Sequence, residues 1–571
     1  MSITHDQYRR ARTMAEPAAR VILEAIRPNN RGRKTLDPII FLTGALLAID
    51  NFNIALVTRV HKVLTHDLTL ADQLELGVRT RNAEGEDKVV TLHELYMLTK
   101  RITKMCDFSK KRASLLSSEE RHRRRNFVDE IVAALLDPTL IPRPADSHDY
   151  ALDGSGIWAA EKSKKKIPDE ELEEEMHEED MTYSEQNSAL AELETTDYGN
   201  CDLHRPNPGK GQHGASDASI GGKTGKDGTK KLFFGYSVEA MVRVVPVAAA
   251  GERSRIEPNL VERLVVTPAG TDVVNPCLRM IDRMLGKEMK IGSLLVDRHY
   301  SYKKYERWVT ELINRDIEQV ADMHQGDQGF REWEGMKIAA GWVHCPSTPS
   351  RLSTIPSLSP NSNEDAVELF NALITERQSY AAKRINPLDK EGKIRFGCPA
   401  LNGTVGCPLR IGTEATAIEL NLPMISNPPE IIGRPTICTQ KSVQLYIQTL
   451  EEKRAMKLQQ RYYWGSKQWR LSYARRTFVE GWFGVLKNTS STGFHRGSHQ
   501  FVGLPMVSIV VAMAAATTNL RLLRRWHEET GLGDPNHPLL SPDQPHHGFA
   551  ELTEDQANML MNEGSRTRKA A

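Results

Sequence analysis

Tyr473, Arg476, Glu480 and Lys487 stand at offsets of 0, 3, 7 and 14 within YARRTFVEGWFGVLK. At about 100° per residue they fall within an arc of roughly 60° on one helical face. A phenol, a guanidinium, a carboxylate and an amine in one stripe make either a salt-bridged surface or a face that handles metal and phosphate. Two aspartates give Glu480 candidate partners. Asp153 in YALDGSGIWA and Asp297 in GSLLVDRHYS each close a short apolar run, next to Gly or a turn. In open α/β sheets the C-terminal strand edge is where ligands bind, and a carboxylate there is exposed yet rigidly held. Singly, such an Asp is a helix cap or a turn residue. Three carboxylates together suit hard divalent cations, Mg²⁺ with Mn²⁺ as a substitute. Two such ions about 3.5–4 Å apart activate a water or a 3′-hydroxyl and stabilise the leaving oxygen of a phosphodiester. Arg476 and Lys487, on Glu480's own face, supply cations for phosphate. His299, two residues past Asp297, either faces this site or is a hydrogen-bonded loop histidine.

The elements around these residues read as a mixed α/β protein of several domains. Residues 1–148 look helical, with IIFLTGALLAID, ALVTRVHKVLT and RNFVDEIVAALLD at helical spacing. Basic clusters at 31–34, 110–112 and 121–125 are either solvated helix faces or, taken together, the mark of a DNA-binding module, with Arg121, Arg123, Arg124 and Arg125 as candidate contacts. Residues 149–330 alternate strand and helix: YALDGSGIWA, KLFFGYSVEAMVRVVPV and ERLVVTPAG as strands, NPCLRMIDRML as a helix, GSLLVDRHYS as a strand, YKKYERWVTELINR as an amphipathic helix and IEQVADM as a strand. A polar segment at 161–230, holding the acidic run DEELEEEMHEED, is expected to be partly mobile. Residues 331–445 lose regularity and form an insertion. Helical pattern returns from about Lys441 to Glu529, and 530–571 is expected to be a disordered tail.

Composition agrees with a globular chain: Lys and Arg total 75 against 74 Asp and Glu, so the net charge is +1. A neutral total does not exclude a nucleic-acid partner, because binding depends on the local patch. The apolar run LPMVSIVVAMAAA is short for a membrane span and leads into TTNLRLLRRW, so it reads as a buried core helix. No signal-peptide core is seen at the N-terminus, and a cytoplasmic protein with reduced thiols is expected. Seven cysteines in 571 residues make no disulfide framework. Cys345, Cys398, Cys407 and Cys438 all fall in the insertion, and the first three precede proline. They either form a structural Zn²⁺ site, with His344 as a substitute ligand, or are buried thiols. The spacing lacks a CxxC, which argues against a standard zinc motif.

Asp153 in LDGS, Asp297 in LLVDRHYS and Glu480 in RRTFVEGWFGVLK resemble the acidic triad of DDE transposases of bacterial insertion sequences. The set Tyr473-x2-Arg476-x3-Glu480-x6-Lys487 matches the Y–R–E–K signature of one branch of that family at all four positions. The resemblance covers about 150–525 with a large insertion. It implies an RNase H-like mixed sheet flanked by helices, an all-α N-terminal domain, and two Mg²⁺ ions held by Asp153, Asp297 and Glu480. It further implies contacts from Tyr473, Arg476 and Lys487 to the DNA backbone. The partners would be the double-stranded terminal inverted repeats and target DNA, bound by a homodimer at the bacterial nucleoid. Two alternatives keep the same resemblance: a structure-selective Mg²⁺-dependent nuclease, and a domesticated transposase acting as a DNA-binding regulator.

Two departures matter. The segment after Asp153 is long, which leaves Asp217 in GASDASIGGKTG as a rival first ligand. Asp153 is preferred because it lies on a strand one strand before KLFFGYSV, whereas Asp217 sits in a Gly-rich loop that suits DNA or backbone contact. Asp297 and Glu480 are also 183 positions apart. Some 110 of those residues must form the separate insertion.

Overall fold

A computed structural model describes residues 3–26, 36–81, 87–109, 115–141, 147–160, 215, 217–224, 230–247 and 257–543, with short breaks at 302, 334, 359–361, 387–388, 390, 431–436, 450–451 and 454–455. The basic clusters at 31–34 and 110–112, the acidic run and residues 544–571 lie outside the described residues.

The N-terminal part forms helices α1 (His5–Ile26), α2 (Pro38–Phe52), α3 (Val57–Lys62), α4 (Leu70–Leu76), α5 (Leu92–Cys106) and α6 (Ser118–Leu136). A small hairpin, β1 (Arg79–Arg81) with β2 (Asp87–Val89), is the exception to the expected all-helical domain. Helix starts follow the local chemistry. Thr91 and Glu94 make a reciprocal capping box on α5, and Ser117 caps α6 through the Glu120 amide.

The central sheet is built from β3 (Tyr150–Trp158), β4 (Ser219–Thr224), β5 (Lys230–Arg243), β6 (Val261–Pro268), β7 (Ser293–Val296) and β8 (Glu318–Ala321). Strand β5 pairs antiparallel with β3 along one edge; along the other it pairs with β4 in its first half and β6 in its second. Strands β3, β7 and β8 run parallel in that order. Helix α7 (Val274–Gly286) follows β6 and the single turn α8 (Arg298–Ser301) follows β7.

Successive residues of each strand enter opposite cores, as a pleated sheet requires. Ala151, Leu264, Leu295 and Val320 join an apolar cluster with the N-terminal helices and α14 (Leu504–Thr530). Their neighbours Leu152, Val265, Leu294 and Ala321 join a second cluster with α7 and the insertion. The first cluster runs from Ile3 to Leu540, so the N-terminal helices share a core with the sheet instead of enclosing one of their own. Helix α14 is the one described helix long and apolar enough to cross a membrane, and 89% of its apolar window is buried inside the protein. The buried-helix reading of LPMVSIVVAMAAA therefore stands.

Several expectations change. YKKYERWVTELINR is helical only over α9 (Val309–Ile313); Arg307 and Lys303 are drawn to Asp272 instead, at 2.6 and 3.4 Å. The insertion is more regular than its composition suggests. It holds two three-stranded antiparallel sheets, β9 (Arg331–Trp333), β10 (Met336–Ala339) and β11 (Trp342–His344), then β12 (Lys383–Arg384), β13 (Lys393–Gly397) and β14 (Ser442–Tyr446). Helices α10 (Glu364–Ser379) and α11 (Thr413–Glu419) accompany them. Lys441 thus leads into a strand, and regular helix resumes only at α12 (Lys467–Ala474). The described start of the tail is packed: Leu539 and Leu540 are buried, and Asp543 accepts from Arg10 at 2.5 Å.

Candidate metal and phosphate site at the sheet edge

Parallel register brings the aspartates together. Leu152 pairs with Val296, and Val296 with Ala321. The next residues along the three strands are Asp153, Asp297 and Asp322, a row of carboxylates across one sheet edge. Asp153 is not the end of its strand, as the sequence suggested; β3 continues through Gly154–Trp158, paired with β5. Parallel pairing alone ends there, and this opens the edge. Burial and the nearby negative charge of Asp297 push the Asp153 carboxyl up to about 6, against the pull of Arg476.

The helix expected to carry Tyr473, Arg476, Glu480 and Lys487 is two helices. Helix α12 ends at Ala474 and α13 spans Thr477–Lys487. The break has no Gly or Pro and is made by Arg475, which is buried. Its guanidinium donates to Asp149 at 2.7 Å, to the Val245 carbonyl at 2.8 Å and to Ser472. Asp149 in turn accepts from the Ser293 amide at 3.0 Å, so one ion pair ties the starts of β3 and β7 to the break. Helix α13 is held from behind by Asn519 of α14. The Asn519 side chain accepts from Trp482 Nε1 and the Val261 amide, both at 3.0 Å, and donates to the Val261 carbonyl at 2.8 Å. Trp482 is two residues past Glu480, and α13 packs across β3 and β5 on the Asp153 side of the sheet.

Arg476 joins the two parts. It donates to Asp153 Oδ2 at 3.2 Å and to Glu480 Oε1 at 2.5 Å, and its guanidinium lies 5.6 Å from the Tyr473 ring centroid. Tyr473 is stacked on Trp469 at 4.9 Å. Lys487 donates to Ser155 Oγ at 2.6 Å and to the Gly156 carbonyl at 2.8 Å, so in this structure it braces β3. Asp297 accepts from the His299 amide at 2.8 Å, and the His299 ring is exposed beside it.

Two residues escaped sequence reasoning. Asp322 closes IEQVADM just as Asp297 closes its strand, and Trp464 Nε1 donates to it at 3.2 Å. The repeated strand-then-Asp pattern was the available signal. Glu239 of β5 stands opposite Gly154 and accepts from Tyr300 Oη at 3.1 Å. Burial, then the charge of Asp153, raise its carboxyl to about 7. A Cβ at position 154 would meet Glu239 Oε1 at 2.4 Å, so glycine makes room for this carboxyl. A lone Glu in the apolar run SVEAMV was its signal.

The other predicted site residues fall elsewhere. Asp217 is only 6% exposed and accepts from Ser109 Oγ at 2.5 Å, Tyr236 Oη at 2.8 Å and the Leu504 amide at 2.7 Å. It therefore fixes the start of α14 and does not present itself to DNA, a correction to the loop reading. Arg125 is also corrected: it is 2% exposed, with its guanidinium 5.1 Å from the Phe108 ring centroid. Arg124 donates to Glu120 and to the Lys104 and Asp107 carbonyls. Arg123, also paired with Glu120, has a side chain 75% exposed. The run RHRRR is thus largely spent on its own helix and the α5 end.

The donors at the sheet edge are hard oxygens, which fit Mg²⁺ or Mn²⁺. Among the described residues, no three His, Cys, Asp or Glu side chains stand close enough together to hold an ion as they are. Arg476 lies between Asp153 and Glu480 and offsets their charge. No family model, curated protein or solved structure matches this chain.

Proposed function

We propose that this protein is a DDE-type DNA transposase that binds transposon ends and catalyses metal-dependent cleavage and strand transfer. The observation that carries the reading is that Asp153 and Asp297 each directly follow the last paired residues, Leu152 and Val296, of the parallel β3–β7 register, with Arg476 linking Asp153 to Glu480. The order β5–β3–β7–β8, with β4 and β6 sharing the outer edge of β5, β5 antiparallel and the last three parallel, supports the RNase H-like reading.

Asp153, Asp297 and Glu480 are the residues that would hold Mg²⁺ or Mn²⁺. The ions would supply Lewis acidity at the scissile phosphate and an activated hydroxyl. Asp153, deprotonated, offers its carboxylate beside Asp297. Arg476 is the group placed to meet phosphate oxygens, and its release of Glu480 frees that carboxylate for the metal. Tyr473, stacked on Trp469, presents a rigid aromatic edge along the same path. Lys487 keeps β3 straight beneath the site. Asp322 adds a further carboxyl group to the row and strengthens its demand for cations.

The test uses the full chain, Mg²⁺ and a duplex carrying the inverted repeats that flank its gene. Cleavage at the repeat ends followed by joining of the new 3′-end to a second duplex is expected. Cleavage without joining would replace the proposal with a nuclease, and specific binding with no cleavage in Mg²⁺ or Mn²⁺ would replace it with a regulator. Deleting the N-terminal helices is not a usable test of end binding, because α1, α2 and α6 share the α14 core.

A further inference from the structure

The insertion gathers four cysteines that lie up to 93 positions apart in sequence, Cys345 to Cys438. Cys345 follows β11 and Cys398 follows β13; Cys407 sits in the turn beyond, and Cys438 precedes β14. Backbone bonds pull these segments together. The Cys345 amide donates to the Tyr380 carbonyl at 2.9 Å and the Cys398 amide to the Lys441 carbonyl at 3.1 Å. Arg410 Nη2 donates to the Ile437 and Gln440 carbonyls at 3.0 and 2.6 Å, which clamps the Cys438 loop from both sides. The result is a junction between the two small sheets of the insertion. Cys345, Cys398 and Cys407 are buried there and Cys438 is half-buried, all as free thiols.

The sulfurs are neighbours. Cys345 and Cys438 share a hydrogen bond, Cys345 feels the charge of Cys398, and Cys407 feels the charges of Cys398 and Cys438. Two of them are also met by the same backbone device. The Ser347 amide donates to the Cys345 sulfur and the Leu409 amide to the Cys407 sulfur, each from two residues downstream across a proline. The hydrogen bond with Cys438 and burial raise the Cys345 thiol, and burial raises that of Cys407; the two amides pull the other way, toward the thiolate. The Arg410 charge also lies near Cys407, where it would offset part of the charge of a tetrathiolate.

We propose that Cys345, Cys398, Cys407 and Cys438 form a structural zinc site that closes the junction between the two sheets of the insertion. As they stand, the four are not yet at ligand spacing, in keeping with the absence of a ready-made cage among the described residues. Zinc binding forms four Zn–S bonds and releases four protons to solvent, with no change of oxidation state. A tetrahedral site needs Zn–S distances of about 2.3 Å, so the thiols close inward on binding. The gain is large where it is needed, since strands of two to five residues cannot stabilise themselves.

The proposal is independent of strand transfer and is tested on the intact chain. Protein purified under reducing conditions without chelator should carry one zinc per chain by elemental analysis. Replacement by Co²⁺ should give the intense thiolate-to-metal absorption and d–d bands of a tetrahedral sulfur site. Cys345→Ser, Cys398→Ser, Cys407→Ser and Cys438→Ser should each lose stoichiometric metal, whereas Cys106→Ser keeps it. Wild-type protein that binds neither zinc nor cobalt stoichiometrically, or whose four thiols all remain alkylatable in excess zinc, overturns it. The cobalt titration decides the matter on wild-type protein even where a serine variant fails to fold.

Discussion

Asp153 and Asp217 flank the same central sheet in opposite circumstances. Asp217 sits beneath α14 with a hydroxyl, a phenol and a helix-terminal amide all donating to it. These three donors are all internal, and the N-terminal end of a helix favours its negative charge. Asp153 sits at the open edge beside Asp297 and Glu480, with one backbone amide and one shared guanidinium for company. The first arrangement is a finished structural bond set. The second is a concentration of like charge that the fold tolerates without neutralising, and such sites are where ligands and chemistry are found. Sequence context preferred Asp153 for its place on a strand, but could not show that Asp217 is locked by Ser109, Tyr236 and Leu504.

The largest expected effect breaks the comparison in activity. Asp297→Ala should lower cleavage by about 10³-fold or more, since it removes several kcal/mol of transition-state charge stabilisation at about 1.4 kcal/mol per decade. Asp217→Asn should leave the rate per folded molecule within about twofold and lower stability by about 3 kcal/mol, the cost of weakening charge-assisted buried hydrogen bonds. Single-turnover cleavage and urea unfolding measured on the same preparations check both. A stable Asp217→Asn that no longer cleaves would reverse the assignment of the first ligand.

The next effect appears in stability. The folded Asp153 carboxyl is raised to about 6 from an ordinary value near 4. Its ionised form is therefore disfavoured in the folded state. The penalty is absent below about pH 4, grows through the interval, and is complete above about pH 6. Asparagine carries no such penalty. The stability of Asp153→Asn relative to wild type should rise by about 2 kcal/mol between pH 4 and pH 7 in metal-free buffer. A gap that stays flat with pH would mean that its neighbours do not disfavour the ionised carboxyl at position 153.

How much of this was legible in the sequence depended on the range of the interactions. The strands of the central sheet announce themselves by apolar runs, and Asp297 and Glu480 by their context. The break at Arg475 was invisible, because its cause is an ion pair to Asp149, 326 positions away. The strands of the insertion are two to five residues long, too short for a period to register. Asp217 misled because a Gly-rich segment reads as a loop, whereas Ser219–Thr224 pairs with β5 as an edge strand. The basic run at 121–125 reads as a DNA patch only if its charges face outward, and Glu120, two carbonyls and Phe108 claim most of them. Charge counts along a chain do not reveal such local neutralisation.

The smallest effect is a pH profile, and it sharpens the contrast without any mutation. The metal-holding form of Asp153 is the carboxylate, whose proton is lost near pH 6 in the folded protein. Below that value metal must compete with the proton. Cleavage at subsaturating Mg²⁺ should therefore fall about tenfold per pH unit below pH 6 and level off above it. Raising Mg²⁺ should move the midpoint to lower pH, since bound cation stabilises the ionised form. Arg476 already supplies part of that stabilisation, so Arg476→Gln should move the metal-free midpoint upward. A profile flat from pH 5 to pH 8, or a midpoint indifferent to Mg²⁺, would mean that the carboxyl at position 153 takes no part in holding metal. The charge gathered at this edge would then be structural, as it is at Asp217.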